Sequence, residues 1–203
     1  TETTGLHPSQ GDRIIEIGCI ELINHIPTGE SLQIFFNPET KMVSDEAVKI
    51  HGLKNNFLVK QPYFRERVND IIKFIANDTL VIHNASFDLG FINKELEYCK
   101  KDKLTNPIID TIELAKKKSS GGSVSLDALC KKFNIDKSKR EFHGALLDSQ
   151  LLAEVYIELL GGRQKGLEFF INTATKDSQK DTNSEGRIGN LKKINICKED
   201  ASL

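Results

Sequence analysis

Three carboxylates and one imidazole in this sequence stand where their types and spacing could do chemistry. Glu2 lies in Thr1-Glu2-Thr3-Thr4-Gly5, Asp88 closes Asn84-Ala85-Ser86-Phe87-Asp88, and His143 and Asp148 bracket His143-Gly144-Ala145-Leu146-Leu147-Asp148. Carboxylates are hard oxygen ligands that suit Mg²⁺ or Mn²⁺, and an imidazole can take a proton from water near neutral pH. Hydrolysis of a phosphodiester with two divalent cations about 4 Å apart needs that set, with oxygens to hold the ions and a base for the attacking water. Taken singly, each residue has a plainer reading. Glu2 in a polar stretch fits solvated surface, and Asp88 fits a charge placed at a helix N-terminus, worth about 0.3–1 kcal/mol. His143 and Asp148 fit a surface histidine and an exposed helical aspartate.

Holding these groups together requires particular elements. Residues 14–23 are rich in β-branched and aliphatic side chains, and residues 31–36 form a second run before Asn37-Pro38. Both read as strands, with Thr28-Gly29 as a hairpin turn between them. Residues 45–51 are a short helical candidate, and residues 63–75 carry Phe64, Val68, Ile71, Ile72 and Ile75 at helical spacing. A compact apolar strand over 79–83 runs straight into Asn84. A helix over 86–100 then puts Asp88 in its first turn, at the carboxyl edge of the sheet, where open α/β sheets bind ligands. Residues 108–109 read as a short strand leading into Asp110, and 125–133 as a helix capped by Ser125. On one continuous helix His143 and Asp148 would point about 140° apart, at roughly 100° per residue. The spacing therefore predicts a helix over 144–160, stopped by Gly161-Gly162, with His143 in the loop before it and Asp148 turned inward. Strands first, then strands alternating with helices, predict an α/β class with a mixed central sheet flanked by helices.

Composition sets the bounds. The chain has 203 residues, 38% hydrophobic and 28% charged, enough for one continuous core without disulfides or metals as staples. No run approaches the roughly 18 apolar residues of a membrane span, and no signal peptide opens the chain, so a cytoplasmic protein without a membrane partner is expected. Cys19, Cys99, Cys130 and Cys197 form no C-x-x-C pair and read as reduced thiols. A net charge of −1 gives no global attraction to a polyanion, so binding nucleic acid would depend on metals and local basic residues. The chain lacks an initiator Met, which suggests a fragment or a misplaced start.

The three stretches, in this order and at these separations, resemble the exonuclease motifs of the DEDDh 3′→5′ exonucleases. Adding His83-Asn84-Ala85-x-Phe87-Asp88 and Leu126-Asp127-Ala128-Leu129-Cys130, the resemblance extends over residues 1–169 and looks most like the epsilon (proofreading) subunits of bacterial DNA polymerase III. It implies a ribonuclease-H-like exonuclease fold, two Mg²⁺ or Mn²⁺ held by Glu2, Asp88 and Asp148, and His143 as general base. It also implies that Glu2, Thr3, His51, Asn84, His143 and Asp148 surround the 3′-terminal nucleotide of DNA, which leaves as a monophosphate. His7, His25 and His83 read as ordinary structural or surface histidines, and Asp110 as a structural acid that positions its neighbours. One departure matters: the family's first motif reads Asp-Thr-Glu-Thr-Thr-Gly, whereas this chain begins at the Thr. The first metal-binding aspartate and the strand that carries it are absent, so an N-terminally truncated domain with exposed sheet edges is expected.

The same reading divides the chain into an exonuclease domain over 1–161, a segment over 162–169 and a polar tail over 170–203. Gln164-Lys165-Gly166-Leu167-Glu168-Phe169 resembles the Gln-x-x-Leu-x-Phe pattern that docks on a sliding clamp, with Gln164 for orientation and Leu167 and Phe169 for an apolar pocket. The alternative is that this Leu and Phe fold back onto the domain. The tail has the composition of a linker or of a segment that orders on a partner, the polymerase catalytic (alpha) subunit by resemblance. A small theta-like third subunit is a further partner the resemblance suggests. Two rival functions remain open, a stand-alone DEDDh exonuclease acting on DNA or RNA, and a catalytically impaired scaffold that bridges polymerase and clamp.

Overall fold

β-Branched and aliphatic residues dominate the strands, and their alternation sorts them to the two faces of one sheet. The computed structural model describes residues 1–118, 121–138, 140, 142–162 and 193–198. Its strands are β1 (Glu2–Thr3), β2 (Ile14–Ile23), β3 (Ile26–Phe35), β4 (Thr79–His83), β5 (Ile108–Asp110) and β6 (Lys193–Lys198). Its helices are α1 (Asp45–His51), α2 (Asn55–Leu58), α3 (Phe64–Ile75), α4 (Ala85–Tyr98), α5 (Thr111–Lys118), α6 (Leu126–Phe133) and α7 (Ala145–Leu160). Leu80 and Ile82 belong to a core with Phe64, Val68 and Ile71 of α3 and Phe91, Ile92 and Leu96 of α4. Val81, between them, belongs to the opposite core with Leu126 and Leu129 of α6 and Leu152, Val155 and Tyr156 of α7. The sheet is thus covered on both faces, as the α/β class expected from sequence requires.

β2 pairs antiparallel with β3 over nearly its whole length. Two-residue hairpins need a left-handed backbone, and Asn24 and His25 supply it with φ of 52° and 65°. Thr28-Gly29 is therefore no turn: both residues lie inside β3, whose first six residues are exposed and carry no apolar alternation to reveal it.

Along β2's other edge β1 pairs with residues 14 and 16, and β6 with residues 20–23, both antiparallel. β6 also runs parallel to β4, which pairs in turn with β5. A stretch of the chain that reads as polar tail thus stands between β2 and β4 and hydrogen-bonds to both. The exposed edges expected there are covered, because backbone pairing depends little on side-chain polarity.

One ion pair ties this sheet to α4. Arg13 places Nε 2.7 Å from Glu95 Oε1 and Nη2 2.8 Å from Oε2, and the Ile14 N–H donates to the same carboxylate. Glu95 is 2% exposed, so losing its partner strands a buried charge. Arg13→Ala is expected to cost about 3 kcal/mol, read as a lower denaturant midpoint. A midpoint within error of the parent would show that water replaces the guanidinium at no cost.

Candidate active site

A helix that starts at a glycine and packs onto the sheet decides where the acid groups meet. α7 begins at Ala145 after Gly144, which leaves His143 in the preceding loop as the spacing predicted. The start is fixed from below: Ala145 N–H donates to the buried Glu16 carboxylate of β2 at 3.1 Å, and Gln33 holds its other oxygen at 2.8 Å. Ser149 Oγ lies 2.8 Å from the carbonyl oxygen of Gly18 and 2.7 Å from that of Ala145. From above, His143 N–H donates to Ile50 O at the end of α1. Asp148, wholly buried one turn into α7, then points toward β1.

Glu2, His143 and Asp148 each offer a ligand atom within 4.8 Å of the others. Two carboxylates and an imidazole at that separation fit a divalent cation in charge and donor type. Asp88, also fully buried, sits in the first turn of α4 and accepts a hydrogen bond from the Thr1 backbone nitrogen at 2.8 Å. Thr1 directly precedes Glu2, so Asp88 lies beside the backbone that carries Glu2 into the cluster.

The β4–α4 junction explains how Asp88 is held. Asn84 adopts φ 68° and ψ 59°, a left-handed conformation that Asn tolerates better than most residues. The Asp110 carboxylate accepts from the N–H groups of Asn84, Ala85 and Ile112, fixing the starts of α4 and α5 together. His83 Nδ1 meets the Thr111 hydroxyl at 2.8 Å, beside the same junction. In β1, Thr3 Oγ1 donates to Gly5 O at 2.6 Å and bends the chain out of the sheet just after Glu2.

His51 lies buried at the end of α1 and accepts from Leu53 N–H through Nδ1. Burial, aided by the nearby His143, pushes its pKa from 6.5 down to about 4. Below pH 6.5 the unfolded chain therefore takes up a proton that the folded chain refuses, and stability falls as pH drops from about 6.5 to about 4. On this account, going from pH 7 to pH 4.5 costs about 2–3 kcal/mol through His51. His51→Gln is expected to lose correspondingly less stability over that interval in parallel denaturant titrations, and an equal loss would remove His51 as the cause.

Sequence reasoning passed over two residues here. Glu16 is one of two acids in a strand dominated by isoleucine and leucine, and an acid in such a run was the available signal. Arg140 carries none, since a basic residue in Lys137-Ser138-Lys139-Arg140-Glu141 reads as solvated loop. Its side chain is nevertheless only 5% exposed and lies on Asp148 and on Asp127. Burial works against ionised Asp127, yet Lys137, Arg140 and His143 together hold its carboxyl below the ordinary value. Gln164, Leu167 and Phe169 lie outside the described residues. Among those described, no helix is long and apolar enough to cross a membrane.

A mixed sheet with helices on both faces and acids gathered around the ends of β1, α4 and α7 defines a ribonuclease-H-like exonuclease. The family described as Exonuclease matches residues 1–156, and the chain belongs to it. It is 52% identical over 169 residues to the DNA polymerase III subunit epsilon of Rickettsia prowazekii (strain Madrid E), covering 81% of this chain and 73% of that protein. It is 37% identical over 204 residues to the same subunit of Escherichia coli (strain K12), covering 97% and 83%. A solved structure of Exonuclease X in complex with 5′ overhanging duplex DNA superposes with a TM-score of 0.62 at 25% identity, covering 79% of this chain and 88% of that one. Activity in this family depends on divalent metal ions.

Proposed function

We propose that this chain is the proofreading 3′→5′ exonuclease of a replicative DNA polymerase III, removing mispaired nucleotides from a primer 3′ end. The observation that carries the reading is the meeting of Glu2, His143 and Asp148 within 4.8 Å on a chain 52% identical to an epsilon subunit. Glu2, Asp88 and Asp148 hold two Mg²⁺ or Mn²⁺. When bound, the ions supply charge that acidifies the attacking water and offsets charge on the phosphate. His143 takes the water's proton on a ring nitrogen, and the Ile50 carbonyl keeps its loop at the start of α7. Thr3, Asn84 and His51 line the approach of the terminal nucleotide. Buried His51 stays neutral at pH 7, so it can meet a base or sugar without adding charge to the site.

The partners follow from the same kinship. Gln164, Leu167 and Phe169 dock on the sliding clamp, the tail from residue 170 up to β6 engages the alpha subunit, and a theta-like subunit completes a cytoplasmic polymerase core. The test is shortening of a 5′-labelled primer with a mispaired 3′ end in the presence of Mg²⁺, by the chain extended with the Asp that the family's first motif places before Thr1. Stepwise release of monophosphates that stops on adding a chelator is the expected result. An intact primer after incubation with folded protein would overturn the reading, and clamp binding by that inactive protein would favour a bridging role.

A further inference from the structure

Arg140 reaches the centre of the site from the loop between α6 and α7. Its Nε lies 2.6 Å from Asp148 Oδ1 and its Nη2 lies 2.9 Å from Asp148 Oδ2, so the guanidinium fork spans both carboxylate oxygens. The same Nη2 is 2.8 Å from His143 Nδ1, and Nη1 is 2.9 Å from Asp127 Oδ1 on α6. A guanidinium has only donors and stays protonated. The His143 Nδ1 in this contact must therefore accept, and the neutral ring carries its proton on Nε2. Neither ring nitrogen can then take a proton from water. One side chain thus covers both oxygens of a buried acid of the cation cluster and also disables the base.

We propose that Arg140 is an internal competitor of the divalent cation, a positioning residue whose guanidinium must leave Asp148 before the ion binds and in leaving frees Nδ1 of His143. The proposal rests on the reading of Glu2, His143 and Asp148 as a metal and base site. Cation entry and arming of the base become a single event, because one group blocks both. Asp127 gives the displaced guanidinium a fixed anchor, so it withdraws from Asp148 without losing every partner. A competitor of this kind lowers the apparent affinity for the ion by the fraction of molecules in which it has withdrawn.

The test measures Mn²⁺ binding by electron paramagnetic resonance in the full chain and in Arg140→Gln and Arg140→Lys. Competition predicts that Arg140→Gln binds Mn²⁺ about tenfold more tightly. Arg140→Lys should fall between, since Lys keeps the charge but cannot span both oxygens. If Arg140→Lys matches the parent while Arg140→Gln binds more tightly, the effect is simple charge and the proposal fails. Equal or weaker binding in Arg140→Gln overturns it as well. Absence of Mn²⁺ binding in all three proteins overturns the metal-site reading and the proposal together. A second measurement stands even if the variants fail to fold: ¹⁵N imidazole shifts of His143 in the parent chain. Without added metal they should report protonated Nε2 and acceptor Nδ1, and saturating Mg²⁺ should shift Nδ1 away from that state. Ring shifts unchanged by Mg²⁺ would overturn the coupling.

Discussion

Asp148→Ala is expected to slow release of the 3′-terminal nucleotide by about 10³-fold or more while the protein stays folded. The carboxylate is fully buried and lies in the cluster with Glu2 and His143, so on the proposed reading its loss removes one of the negative ligands of the ions. Removing one partner of a buried ion pair usually costs several kcal/mol. Here Arg140 keeps Asp127 at 2.9 Å, and Ala is the best helix former for the vacated position in α7. His143→Ala should lower the rate comparably but leave both carboxylates in place, so it should still bind Mn²⁺ where Asp148→Ala binds it far more weakly. Single-turnover primer shortening and Mn²⁺ titration separate the two roles. Near-normal turnover in either variant, with folding verified by circular dichroism, would remove that residue from the chemistry.

Much of this site is legible in the sequence because its positions depend on local signals. The strand over 79–83 and the helix after Asn84 needed only an apolar run and a residue that tolerates left-handed geometry, which together place Asp88 in a first helical turn. Gly144 and the inward face of α7 sufficed to separate His143 from Asp148. The Ser125 cap on α6 was equally local, and its hydroxyl accepts from Ala128 N–H.

What stayed hidden depends on long-range pairing. β6 lies in a lysine-rich stretch, yet it finds hydrogen-bonding partners in β2 and β4, more than a hundred residues away in the chain. α5 ends in three lysines and buries only Thr111 and Ala115, too few apolar positions to show a period. Arg140 is buried because Asp127 and Asp148 lie on two helices that meet around its loop, and nothing in the neighbouring sequence announces that meeting.

The strongest test of how the fold positions the chemistry lies at Gly18 of β2. A Cβ built there would stand 2.2 Å from Ala145 C and Leu146 N and 2.5 Å from Ala145 O, all backbone of the first turn of α7. Flexible side chains could move aside, but a helix start held by Glu16 below and Ile50 above cannot. Gly18→Val is therefore expected to cost at least about 4 kcal/mol, at the exceptional end for a point substitution, because the helix must lift off the sheet or the strand must buckle. Lifting α7 also moves Asp148 and His143 away from Glu2, so any folded fraction should bind Mn²⁺ poorly and shorten primers slowly. Arg13→Ala, remote from α7, is expected to lower the unfolding midpoint while sparing Mn²⁺ affinity, and the contrast separates lost stability from lost positioning. If Gly18→Val unfolded at the parent midpoint and bound Mn²⁺ with parent affinity, close approach of helix to strand would not be what sets the site.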